Sequence, residues 1–242
     1  MPEEKPWKTE KDVRRLVVGK KLISDIGVFG RVYSGRLYFH GRKQPTRVAV
    51  KKFRQPIGDK EKEQYERTAE RMRAAGLPII KTGYLLHDSE WVQVTPLFGS
   101  TLRGSTIPVD LREFHTDPRI VEELKKPERL DEMLGIIAGI INLGYSPTQD
   151  CLFAHANRTR VKFLVHDIDT QATGEPHLYD WSRFNPKFSK IRISSILAKL
   201  AALTEQPLQQ ITQKLKEKVT HDKFLPILRK IQEETRTTQR IT

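Results

Sequence analysis

The first hundred residues alternate short apolar runs with Gly, Pro and Asp, and each run has the length and β-branched content of a strand. The pattern predicts five strands, which cover residues 16–24, 30–41, 47–53, 79–87 and 90–98. Residues 1–15 are polar and predict a lead-in. We therefore expect a sheet in the amino-terminal part of the chain.

One helix is predicted between the third and fourth strands. In residues 60–75, Tyr65, Ala69 and Met72 recur at i, i+4 and i+7, the spacing of one helical face. Gly76-Leu77-Pro78 supplies a stop signal. The element order is therefore β-β-β-α-β-β.

The pattern becomes helical after Gly99. Residues 127–143 (PERLDEMLGIIAGIINL) predict a long apolar helix, and the polar residues 100–127 predict a loop with one short helix. Apolar periodicity predicts three later helices, over residues 193–203, 207–219 and 224–234. The fold class is α+β, with a lead-in at 1–15, a strand-rich lobe at 16–98 and a helical lobe at 99–242.

Candidate chemistry is concentrated in residues 153–184. Apolar runs at 161–165 and 177–179 flank a polar turn and predict a β-hairpin with a long loop. His155-Ala156-Asn157 stands at its entrance and Asp180-Trp181-Ser182 at its exit.

Further motifs lie in the strand-rich part. The turn after the first strand contains Gly27 and Gly30, and Val32 follows; glycines let backbone N–H groups approach phosphates closely. The third strand holds Val48-Ala49-Val50-Lys51, and the fifth, residues 91–99 (WVQVTPLFG), includes Thr95.

The order and spacing of these motifs resemble the protein-kinase-like family over residues 18–185. The turn at Gly27 and Gly30 resembles the glycine-rich loop, with Asp25 in place of its first Gly. Residues 48–51 resemble the Val-Ala-Ile-Lys strand, and residues 91–99 the fifth strand and hinge. The resemblance implies a bilobal fold, with a five-stranded N-lobe carrying one helix and a reduced helical C-lobe.

The resemblance also implies an ATP site with Mg²⁺. Lys51 would pair with phosphates and with a helix carboxylate, either Glu70 or, as an alternative, Glu66. Asp180 matches the metal-binding Asp of Asp-Phe-Gly, and His155 matches the His of the catalytic loop. The resemblance gives binding roles to the remaining positions, which are Gly27, Gly30, Val32, Ala49 and Thr95.

The catalytic loop departs from the family at two positions. Asn157 stands where the family has its catalytic Asp, and an amide cannot accept a proton as a carboxylate does, a loss of about 10²–10⁴ in rate. Lys162 stands where the family has its metal-binding Asn, and an ammonium cannot ligate a metal, although it can neutralise a phosphate. The activation loop and the Ala-Pro-Glu segment are also missing after Asp180.

The net charge of the chain bears on which partners it binds. The net charge of +13 fits either a solvated basic surface or an anionic partner, with an acidic protein surface, a nucleic acid and a membrane surface as the candidate partners. Basic residues occur throughout the chain, with clusters in 36–47 and 51–54, and no RNA- or DNA-reading motif accompanies them.

Three functions follow, in order of preference. The first is a pseudokinase or very weak kinase that binds ATP and acts through a protein partner. The second is an active atypical kinase that transfers phosphate to a hydroxyl of a protein or small molecule. The third is a basic RNA-associated protein on the same fold.

Cysteine content and hydropathy limit the cellular compartments in which the protein is expected. The single Cys151 excludes an internal disulfide and fits a reducing compartment. No apolar run approaches membrane-spanning length, and the amino terminus lacks the apolar segment of a secretory signal. The expected location is the cytoplasm, with delivery into a host-cell cytosol left open.

Overall fold

The computed structural model describes six stretches of the chain, residues 13–24, 30–80, 82–96, 109–156, 160–165 and 186–239. Two compact units are present: one comprises Met1–Arg67 and Ile80–Ser100, and the other comprises Thr68–Ile79 and Thr101–Thr242. None of the described helices is long and apolar enough to cross a membrane.

The first unit contains the predicted five-stranded sheet. Its strands are β1 (Val13–Ser24), β2 (Gly30–Phe39), β3 (Thr46–Phe53), β4 (Gly83–His87) and β5 (Glu90–Pro96). Every neighbouring pair is antiparallel, in the order β1-β2-β3-β5-β4. The five strands match the five apolar runs, with β1 beginning three residues earlier than predicted.

Alternation along the strands gives the sheet one continuous apolar face. The side chains on this face are at most 1% exposed at Leu37, Val48, Val50, Val92 and Val94. Gly35 belongs to the same face, and a Cβ there would lie 2.6 Å from a Val50 methyl carbon. Burial of these apolar side chains fixes the register, because a slip of one residue would turn all of them outward.

Helix α1 (Asp59–Ala74) follows β3, as the periodicity predicts. Tyr65 stacks between Phe53 and Tyr84, with ring centroids 6.4 Å and 5.8 Å away. At the carboxyl end, Gly76 has a positive φ of 78°, and Leu77 N–H donates to the Met72 carbonyl at 3.0 Å. This is a Schellman cap, so the predicted stop signal acts through the left-handed conformation of glycine.

The second unit is built around five helices in the described residues. They are α2 (Pro118–Lys125), α3 (Pro127–Asn142), α4 (Pro186–Thr204), α5 (Leu208–Lys218) and α6 (Leu225–Gln239). Eight side chains of α3 are buried, which confirms the prediction of an apolar helix. The three later helices are also confirmed, although α4 begins seven residues before the predicted start.

The segment before α3 is more ordered than the predicted loop with one short helix. A short strand, β6 (Val109–Asp110), leads into a 3₁₀ turn at Leu111–Thr116 and then into α2. Four apolar side chains in this segment are fully buried: Leu111, Phe114, Ile120 and Leu124. The polar residues that made it resemble a loop include Asp110 and Asp117, which cap the two helical turns.

A three-stranded sheet completes the second unit, with β7 (Leu152–Ala156) between β6 and β8 (Val161–Val165). In the described residues β8 pairs with β7, and His155 and Ala156 lie inside a strand. The predicted pairing of residues 161–165 with 177–179 stays a prediction. Alternate residues Leu152, Ala154 and Ala156 are buried, the period of a half-buried strand. Residues 177–179, the predicted partner run, lie outside the described residues.

The Asp117 cap yields a prediction about acid stability. Its carboxylate accepts from the Arg119 backbone N–H at 3.1 Å and from the Arg119 guanidinium, Nη2, at 2.8 Å. The hydrogen bond from the Arg119 side chain lowers the pKa of Asp117 below its ordinary value. Its contribution is therefore present at neutral pH and is lost as pH falls through that lowered pKa.

We expect Asp117→Ala to reduce the free energy of unfolding by about 1–2 kcal/mol at neutral pH, because one helix cap is lost. Urea titration of both proteins between neutral and acid pH should show this difference shrinking below the ordinary pKa of an aspartate. The exposed Asp222 provides the control, and Asp222→Ala should leave stability nearly unchanged. An undiminished difference in acid would contradict the role of the carboxylate charge.

Candidate functional site

The candidate site is the face of the five-stranded sheet opposite its apolar face. Strand register places Val32 directly across from Lys51, and Ala49 directly across from Thr95. Directly paired residues of antiparallel strands project to the same face, and so do residues two apart. The strands therefore bring four predicted site residues together on one surface: Val32, Ala49, Lys51 and Thr95.

Lys51 is unusual because it is a lysine inside a sheet. The residue is only 8% exposed, and its Nζ lies 5.8 Å from the centroid of the Phe53 ring. A buried ammonium is stabilised only by anionic or other polar partners, since burial removes its hydration. The adjacent Lys52 projects to the other face, where its Nζ lies 4.0 Å from Asp88. The two lysines therefore differ in environment as strand alternation requires.

Gly30 opens β2 at a point where no side chain fits. A Cβ at this position would lie 2.5 Å from the carbonyl oxygen of Lys52 and 3.1 Å from Cγ of Lys51. The missing side chain thus lets the start of β2 approach the Lys51–Lys52 backbone closely. Gly27, the other predicted glycine, lies outside the described residues.

Sequence reasoning missed Gln93, which lies across from Lys51 on the same face. Its side chain is 3% exposed, and Nε2 donates to the hydroxyl of Tyr84 at 3.2 Å. Its Oε1 is buried and accepts no hydrogen bond from the described part of the protein. The alternation of apolar and polar residues in β5 could have identified Gln93, because it stands between Val92 and Val94, which face the apolar side.

The two candidate helix carboxylates differ in their surroundings. Glu70 is exposed on α1. Glu66 is partly buried and pairs with Lys62, with Nζ and Oε2 3.2 Å apart. The pairing of either carboxylate with Lys51 stays a prediction.

The catalytic-loop positions are only partly described. His155 in β7 lies directly across from Lys162 in β8, so both project to one face of the small sheet. Lys162 is exposed, whereas His155 is partly buried. Asn157 and Asp180, the predicted base position and metal ligand, lie outside the described residues.

Arg129 of α3 supports the hairpin formed by β7 and β8. Its guanidinium donates to the Val161 carbonyl and lies 4.7 Å from the centroid of the Phe163 ring. Its Nε lies 3.2 Å from the carboxylate of Glu123, a residue of α2. One arginine thus connects two helices to the first residues of β8. This positioning role was not predicted from the sequence.

No metal centre is evident within the six described stretches, where no group of three or more His, Cys, Asp or Glu side chains could hold an ion. The predicted metal ligand Asp180 is not among the residues searched. The described site is therefore a polar and cationic sheet face with no carboxylate cluster.

Comparison with known proteins gives structural matches only. No protein-family model and no curated protein matches this chain. The Mycobacterium tuberculosis PknI kinase domain superposes with a TM-score of 0.48 at 12% identity, covering 92% of this chain and 97% of that one. A double mutant of the same domain gives 0.49 at 11% identity, with coverage of 92% and 96%.

The fold is protein-kinase-like, an α+β fold of two units. This assignment depends on the chain's own topology and not on those superpositions. A five-stranded antiparallel sheet carries one helix between its third and fourth strands, and a helical unit carries the strand pair that contains His155.

The close approach at Gly30 makes a testable prediction. We expect Gly30→Ala to reduce the free energy of unfolding by about 1–3 kcal/mol, because the added methyl group overlaps backbone atoms. Gly83 is the matched control, since a Cβ there would meet nothing within 4 Å. Chemical denaturation should find Gly83→Ala close to the wild type. Equal effects of the two substitutions would contradict the specific role of Gly30.

Proposed function

We propose that this chain is a kinase-fold protein that binds ATP and transfers phosphate very weakly or not at all. The observation that carries the proposal is the strand register that places Val32, Ala49, Lys51 and Thr95 on one face. Spacing in the sequence suggested these residues as a set, and their common orientation supports a shared ligand.

The chemistry of this face fits a nucleotide. The buried ammonium of Lys51 would pair with phosphate oxygens, which are its natural counter-charges in a site with little water. Val32 and Ala49 supply apolar surface for a base, and the buried Oε1 of Gln93 is an acceptor for a donor group. A bound nucleotide and its Mg²⁺ would supply a transferable phosphoryl group.

The catalytic loop supports weak transfer. Asn157 in place of a carboxylate removes the group that would accept a proton from a substrate hydroxyl. Lys162 brings a cation to the position where the family holds a metal ion. Positioning and electrostatics supply most of the catalysis of phosphoryl transfer, so these changes reduce the rate without removing the capacity to bind.

The protein would then act by binding a partner whose affinity depends on whether ATP is bound. ATP binding stabilises the folded protein, and a partner that binds only the ATP-bound form stabilises that form further. An acidic protein surface is one candidate, given the net charge of +13.

Thermal stability tests nucleotide binding directly. ATP at about 100 times its Kd should stabilise the folded protein by about 2.7 kcal/mol, which raises Tm by roughly 5–10 °C. Lys51→Ala should abolish this shift. Lys52→Ala is the matched control, because Lys52 is the next residue and projects to the opposite face. It should retain the full shift.

Two outcomes would overturn the nucleotide assignment. One is a wild-type melting curve that ATP leaves unchanged, with and without Mg²⁺. The other is an equal loss of the shift in both lysine variants, which would indicate general charge attraction. The apo melting temperature of each variant shows whether it is folded.

Phosphotransfer is tested by restoring the family residues. Asn157→Asp with Lys162→Asn should give measurable turnover of radiolabelled ATP, because it restores a base and a metal ligand together. Asn157→Asp alone should gain less, since Lys162 would pair with the new carboxylate and lower its basicity. Wild-type activity that Asn157→Ala abolishes would instead make the protein an active atypical kinase.

A further inference from the structure

The excess positive charge is concentrated in one short part of the chain. Residues 13–58 contain twelve Lys and Arg residues and one carboxylate, Asp25. The rest of the chain has 31 basic and 29 acidic residues, a net charge of +2. Nearly all of the net charge of +13 therefore comes from β1, β2, β3 and their connections.

Strand register gathers three of these arginines on one exposed surface. Arg36 of β2 lies directly across from Arg47 of β3, and Arg15 of β1 lies directly across from Tyr38. Arg36 and Tyr38 are two residues apart on one strand, so all four project to the same face. The three arginines are exposed, and Tyr38 is partly exposed. We call Arg15, Arg36 and Arg47 the arginine patch.

The arginine patch has no internal compensation. In the described residues, none of its three side chains forms an ion pair with a carboxylate. Like charges directly across a strand pair destabilise a sheet, so the Arg36–Arg47 pair works against folding. An external anion with several charges at strand spacing would remove that repulsion, whereas a single small ion would not cover the whole patch.

We propose that the arginine patch binds the backbone of a single-stranded nucleic acid. Arginine presents a planar fork of donors that matches phosphate oxygens, and aromatic side chains beside it offer stacking surfaces for bases. Tyr38 is an aromatic side chain on the same face as the patch, and it is partly exposed.

The surface fits a membrane less well. Binding to a lipid surface combines basic residues with exposed apolar anchors on one face. The large apolar side chains that the described residues expose are Leu22, Leu86, Phe188 and Ile191. Leu22 pairs with Tyr33 on the opposite face of the sheet, and Leu86 lies on β4, at the other end of the strand order from β1. Phe188 and Ile191 belong to the second unit.

Nucleic-acid binding at the arginine patch is independent of nucleotide binding by Lys51. Arg47 and Lys51 share a strand face but are four residues apart, roughly 13 Å along an extended strand. Loss of one activity therefore need not remove the other. ATP should still raise the melting temperature of a protein whose arginine patch has been neutralised.

Fluorescence anisotropy with a labelled single-stranded RNA of about 16 nucleotides measures this binding, over roughly 50–200 mM salt. The test variant is Arg15→Gln with Arg36→Gln and Arg47→Gln. We expect it to weaken binding at least tenfold. The slope of log K against log salt should become shallower by about 2, for three phosphate contacts at roughly 0.7 each.

The control variant removes the same charge elsewhere. Arg73→Gln with Arg229→Gln and Lys230→Gln neutralises three exposed basic residues that belong to the helical unit. It should change affinity far less than the patch variant does. Tyr38→Leu tests stacking and should weaken binding about fivefold or more while leaving the salt slope unchanged.

Folding of the patch variant is tested separately. Its Tm should be equal to or above that of the wild type, because the repulsion between Arg36 and Arg47 is gone. A protein that melts normally but no longer binds RNA supports the proposal.

Four results would overturn it. They are equal weakening by both triple variants, no binding of single strands at the lower salt concentrations, equal affinity for a duplex of the same sequence, and tighter binding to polyglutamate or to vesicles containing phosphatidylserine. Single-stranded DNA distinguishes the sugar, since comparable affinity for both strands supports readout of phosphate and bases alone.

Discussion

The register of β3 between β2 and β5 is the constraint on which the rest of the first unit depends. Val48 and Val50 must face the apolar side, so Ala49 and Lys51 must face the other. A slip of one residue would exchange Lys51 with Lys52 and would expose the valines. The candidate site is therefore a consequence of how the core packs, and a buried lysine is the cost of that geometry unless an anion accompanies it.

Much of this arrangement was predictable, because it depends on local patterns. The helices α1 and α3 carry strong apolar periodicity, and Gly76 ends α1 through its positive φ. The short strands were harder to predict from the sequence, since β6 has only two residues and β7 contains a histidine at an outward position. The pairing of β8 with β7 was not predicted, because strand pairing depends on tertiary contacts that periodicity does not contain.

The choice of a helix carboxylate as partner for Lys51 shows the limit of predictions from residue spacing. Tyr65, Ala69 and Met72 define the buried side of α1. At roughly 100° per residue, Glu66 lies about 100° from Tyr65, and Glu70 lies about 140° away. The preferred Glu70 is thus turned further from the buried side, which agrees with its exposure. Gln93 was missed for a related reason, since its position across from Lys51 is apparent only when the register is known.

Among the residues that the structure describes, some charged side chains have partners within the fold, and others do not. In the helical unit, some basic side chains have carboxylate partners, such as Lys125 with Glu205 and Lys218 with Asp131, both at 2.8 Å. The arginine patch instead places like charges across a strand pair, where they contribute nothing to the apolar core and oppose the sheet. Exposed glutamate or threonine would fill these positions with less repulsion. This uncompensated surface shares a sheet face with Lys51, the residue proposed to bind phosphate, and a second anionic ligand on β1, β2 and β3 explains it best.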